Sequence, residues 1–124
     1  MPVPAALITT HKIWLYRHSK RKTAMVKHIV LWKLKENAEG RTRQQNATLL
    51  KQELEALKKK IPVITHIEVG INFNNSEAAY DLALYMECKT AQDLQVYQHH
   101  PEHVKVAEMV SRLRESRVVV DYEL

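Results

Sequence analysis

The sequence has little that would build the commoner active sites. It holds one cysteine, Cys88, and two glycines, Gly40 and Gly70, in 124 residues. A lone thiol cannot close an intrachain disulfide, and this usage points to a reducing, cytoplasmic setting. Two isolated glycines cannot write G-x-G-x-x-G or a Walker A loop, so a glycine-lined phosphate cradle is excluded. There is no G-x-S-x-G nucleophile elbow. No apolar run reaches the ~18 residues of a membrane-spanning helix. The length suits one domain, large enough to bury a core without covalent staples.

Acids are missing from one region. Residues 1–24 carry Lys12, Arg17, Lys20, Arg21 and Lys22 and no Asp or Glu. Removing these five from the 19 Lys and Arg leaves 14, equal to the 14 Asp and Glu of the remainder. The net charge of +5 therefore belongs to the leader, and residues 25–124 are balanced. The leader lacks periodicity. It reads as a disordered tail or an upstream extension before Met25, with a cleaved targeting peptide or weak attraction to RNA or anionic lipid as alternatives. A balanced domain calls for no specific nucleic-acid partner.

From Met25 onward the pattern is clear. Val26–Leu34 is β-branched and aromatic, so it is a predicted strand. His28, Val30, Trp32 and Leu34 share one face, and Ile29 and Leu31 share the other. Ala47, Leu50, Leu54, Leu57 and Ile61 recur at helical spacing, predicting a helix from Arg41 to about Lys60, with a Glu55–Lys59 pair on its wet side. Pro62 stops it. Strands follow at Val63 to about Phe73 and at Tyr80–Cys88, where Leu82, Leu84 and Met86 face one way and Ala83 and Tyr85 the other. Thr90 should cap the next helix, with Asp93 answering in a capping box. Pro101 should start a second segment, whose apolar stripe is Val106, Met109, Val110 and Leu113. Arg117–Leu124 is the closing strand.

The order β-α-β-β-α-β is that of a ferredoxin-like α+β fold. Helices cover one sheet face only. The expected open face carries Val30, Trp32, Leu34, Leu82, Leu84 and Met86, too much apolar surface to leave in water. A homodimer packed sheet to sheet would bury it.

MVKHIVLWKLKE, the leucine-striped helix, YQHHPEHVKV and RVVVDYEL, in this order, resemble the stress-responsive dimeric α+β barrel (Dabb) family over residues 25–124. The resemblance implies a ferredoxin-like unit that dimerises into a barrel. One plant relative in that family is a polyketide cyclase that uses a tyrosine and a histidine around H-P-x-H for acid–base work. The matching positions here are Tyr97 and His103. The cyclase's first-strand histidine corresponds to His28, and its third-strand histidine is replaced by Leu82.

QHHPEH raises the question of a metal. His99 and His103 are four apart, but Pro101 disfavours helical geometry at His100 and splits the pair between segments, and no cysteine or carboxylate completes a set. No metal and no cofactor is expected. His100 reads as a helix cap and His99 as a helix-end ring. His103 lies in a first turn, where exposed amides lower its proton affinity, so a neutral ring could take and return a proton. Tyr97 is a core aromatic or an orienting hydroxyl. Cys88 is expected to be buried and inert, and Asp121 and Tyr122 to make edge hydrogen bonds.

The leading functional expectation is a dimeric barrel whose small, apolar cavity is lined by His28, Trp32, Leu82 and Leu84. Tyr97 and His103 would serve as its catalytic or polar groups in cyclase- or isomerase-like chemistry. The alternatives are a non-catalytic stress-response or structural dimer, and a haem-binding or cofactor-independent monooxygenase-like barrel.

Overall fold

A computed structural model describes residues 24–124, so all of the expected leader except Ala24 lies outside the described residues. The elements run β1 (Val26–Leu34), β2 (Asn37–Ala38), β3 (Arg41–Thr42), α1 (Arg43–Glu55), a 3-10 turn (Ala56–Lys59), β4 (His66–Ile71), β5 (Leu82–Cys88), α2 (Ala91–His99), α3 (Pro101–Leu113) and β6 (Arg114–Glu123). The main sheet has the order β4-β5-β1-β6 and is antiparallel throughout. This is the expected ferredoxin-like arrangement.

The α1 stripe is as read: Ala47, Leu50 and Leu54, with Leu57 and Ile61 beyond the helix, are all buried. Its start is set by a full capping box between Thr42 and Gln45, which the sequence reading missed. The helix begins two residues later than expected because β2 and β3 form a small hairpin. Glu39 and Gly40 turn it at φ 53° and 76°, and the glycine takes the second left-handed position without cost. Buried Asn46 ties this hairpin to α1, donating to the Ala38 carbonyl at 3.1 Å and accepting from Arg41 Nε at 2.6 Å. Glu55 pairs with Lys51 at 2.8 Å, not with Lys59, because the chain tightens into the 3-10 turn at Ala56. At α2 only half of the expected box forms: Thr90 accepts from the Asp93 amide at 3.0 Å. The closing strand starts at Arg114, three residues early.

The main correction concerns the sheet faces. Val30, Trp32, Leu34, Leu82, Leu84 and Met86 are 0–5% exposed and pack under the helices. The open face is the other one. There Ile29 pairs with Tyr85 and Val120, and Leu31 pairs with Ala83 and Val118. Val118 and Val120 are 43% and 59% exposed. Both faces of β1 are apolar, so alternation assigns residues to a face without saying which face the helices take.

Candidate functional site

The covered face and the helices enclose a cavity of about 290 Å³. Its floor is β1, with His28, Val30 and Trp32 side by side, and Leu84 on β5. Leu54 of α1 and Ala107, Val110 and Ser111 of α3 form the opposite wall, with Tyr97 and His103 at the α2–α3 junction and Arg114 and Arg117 on β6. The cavity thus lies within one protomer and not between two sheets, as the face assignment above requires. Leu82 is buried but does not line it; it borders a shallower groove with Leu31 and Tyr80.

Pro101 shapes the corner. His100 caps α3 in an extended conformation (φ −63°, ψ 135°), and its Nδ1 accepts from the Glu102 amide at 3.1 Å. His99 is exposed and donates from Nδ1 to the Gln95 carbonyl at 2.9 Å. His103 donates from Nδ1 to the Gln98 carbonyl at 3.0 Å. The three rings therefore serve three separate backbone groups. A carbonyl can only accept, so the proton of neutral His103 sits on Nδ1 and the lone pair on Nε2. Burial is the largest influence on this ring and lowers its proton affinity, against the opposing Gln98 contact. Desolvation, more than the helix end, therefore holds the imidazole neutral.

Tyr97 is 1% exposed. Its ring lies 4.5 Å from that of His103 and 5.8 Å from that of His28, centroid to centroid. Burial raises its pKa strongly, so the hydroxyl keeps its proton at any physiological pH. His28 is fixed from the far side: its Nδ1 donates to Asp121 Oδ1 at 2.5 Å. The reading of Asp121 as a simple edge residue missed this partner. His28 and Asp121 are cross-strand register partners, a relation no local pattern reveals. Arg114 and Arg117 were also missed, because they fall at the start of a strand read from its valines.

Trp32 carries an orphan. Its Nε1–H is buried and has no hydrogen-bond partner among the described residues. An unsatisfied buried donor costs roughly 1–3 kcal/mol. Cys88 is buried, and burial raises its pKa, as an unreactive thiol requires.

The profile of the stress responsive A/B barrel domain matches residues 26–124. This chain belongs to the Dabb family. Among solved structures it is similar to a dimeric ferredoxin-like protein of unknown function from Bacteroides fragilis NCTC 9343. The two share 42% identity over 81% of this chain and 96% of that one, with a TM-score of 0.73. A dimeric ferredoxin-like protein of unknown function from Thermobifida fusca matches at 22% identity, over 82% of this chain and 92% of that one, TM-score 0.69. Hydroxynitrile lyase from Passiflora edulis matches at 16% identity, over 82% and 94%, TM-score 0.71. The last two show the shared fold alone. No curated protein matches the chain. No helix among the described residues of this Dabb domain is long and apolar enough to cross a membrane.

Proposed function

We propose that this Dabb protein is a homodimer that binds a small hydrophobic or aromatic ligand between sheet and helices and moves a proton on it. The observation that carries the reading is the meeting of Tyr97, His103 and His28 around one cavity whose sheet floor and helix wall are mostly apolar, with Ser111, Arg114 and Arg117 as its other polar groups. Few polar groups converging in an apolar pocket is the usual form of a small-molecule site. Nε2 of His103 takes a proton from an acidic C–H or a phenol of the ligand. Tyr97 donates its hydrogen bond to the carbonyl oxygen where negative charge develops, and His103 then returns the proton to the product. Enolisation, isomerisation and cyclisation all follow this course. Asp121 holds His28 in place as the neighbouring wall.

The volume, about 290 Å³, is near the lower limit of ligand pockets, which favours one or two rings over haem. The dimer reading is supported by the apolar open face and by the dimeric neighbours. A cytoplasmic location is supported by the free buried thiol of Cys88.

The test is calorimetric titration of the full chain with 2-naphthol, beside Tyr97→Phe and His103→Ala. Loss of one hydrogen bond in Tyr97→Phe should weaken binding about fivefold. Equal binding by all three proteins would remove both polar roles and leave a non-catalytic structural dimer.

A further inference from the structure

We propose that the ligand enters this cavity as an aromatic carboxylate, its anionic group held by the indole N–H of Trp32 and the guanidinium of Arg117. This rests on the reading of the cavity as a ligand site and specifies what it selects.

Two independent observations converge. The first is the orphan donor: Trp32 is 5% exposed, lines the cavity, and its Nε1–H has no partner. The second is positive charge at the cavity rim, on half-buried Arg114 and exposed Arg117. Arg114 and Arg117 line the same cavity, and neither has an ion-pair partner among the described residues. No carboxylate lines the cavity. Asp121 is engaged by His28, and Glu115 borders a separate hollow with Lys33, Arg43 and Asp81.

Register joins the two. Trp32 and Arg117 are cross-strand partners on β1 and β6, so their side chains leave the sheet on the same face, next to each other. One carboxylate has enough lone pairs to accept from an indole and a guanidinium together. Trp32 stands four residues along β1 from His28, roughly 13 Å of strand. An anion held at Trp32 therefore points an aromatic body past Val30 towards Tyr97 and His103. The acid group positions the ligand, and the His103 end does the chemistry.

The test compares 2-naphthoate with its neutral isostere 2-naphthamide, titrated calorimetrically into the full chain at low salt. The indole N–H resonance of Trp32, assigned with Trp32→Phe, is followed by NMR. The acid should bind about tenfold more tightly than the amide, as a charge-assisted pair warrants, and should move that resonance downfield. Arg117→Gln should abolish the preference by weakening the acid about tenfold relative to the amide. Equal affinities, or a preference that survives both Arg117→Gln and Trp32→Phe, overturns the anion assignment. If the amide binds and depends on Tyr97, the ligand site stands and only the anion assignment falls. If neither compound binds while 2-naphthol does, only the anion assignment falls; if none of the three binds, both readings fall.

Discussion

His103 donates its Nδ1 proton to the Gln98 carbonyl at 3.0 Å, tying α3 back to the end of α2 across the break at Pro101. This one bond fixes the tautomer of the ring and leaves Nε2 as its basic atom. The ring's burial gives it a measurable pH signature.

Burial lowers the folded-state pKa of His103 below the ordinary value of 6.5. Between that depressed pKa and about 6.5 the unfolded chain binds more protons than the native one, so stability rises with pH across the window. The contribution is complete above about 6.5 and is lost as pH falls through the folded pKa. His28, His100 and Arg117 add positive potential that acts in the same direction. His103→Gln keeps a donor for the Gln98 carbonyl but cannot titrate. Its urea midpoint should vary less with pH between about 7 and 5 than that of the parent. Identical pH profiles would show that the ring is not held neutral by the fold.

The hydrogen-bonded pair of His28 and Asp121 is asymmetric, with side chains 3% and 39% exposed. Asp121→Asn removes the charge and retains an amide oxygen at the same place. Because the carboxylate is more than a third exposed, solvent screening limits the expected loss to about 1 kcal/mol of unfolding free energy. Chemical denaturation measures it. A variant as stable as the parent would mean that water replaces Asp121 without penalty.

Leu31 projects from the open sheet face between Ala83 and Val118. If that face seats the second protomer, Leu31→Glu buries two unpaired carboxylates in a symmetric interface. The protein should then sediment as a monomer at micromolar concentration, with an unchanged far-UV spectrum. A variant that remains dimeric places the interface elsewhere.

Much of the fold was legible because it depends on local repetition. The stripe from Ala47 to Ile61, the alternation of Leu82, Leu84 and Met86, and the proline at the start of α3 are each set by neighbours a few residues away, and all stand as read. The Thr42–Gln45 box was equally local and went unread, because the hairpin before it was not recognised. Of the residues named from sequence, His28, Trp32, Leu84, Tyr97 and His103 line the cavity and Leu82 does not.

The sequence by itself determined which residues share a strand face or a helix stripe, since backbone geometry repeats every 2.0 or 3.6 residues regardless of what lies beyond. It could not determine which of two apolar faces the helices would cover. That choice is made by packing between distant elements, and it moved the cavity from the dimer interface into the protomer. The same holds for the partnerships at the site. His28 meets Asp121 from 93 residues away, and Trp32 meets Arg117 only because β1 and β6 pair in one register. Strand register is a tertiary property, set by the whole sheet settling its buried side chains at once.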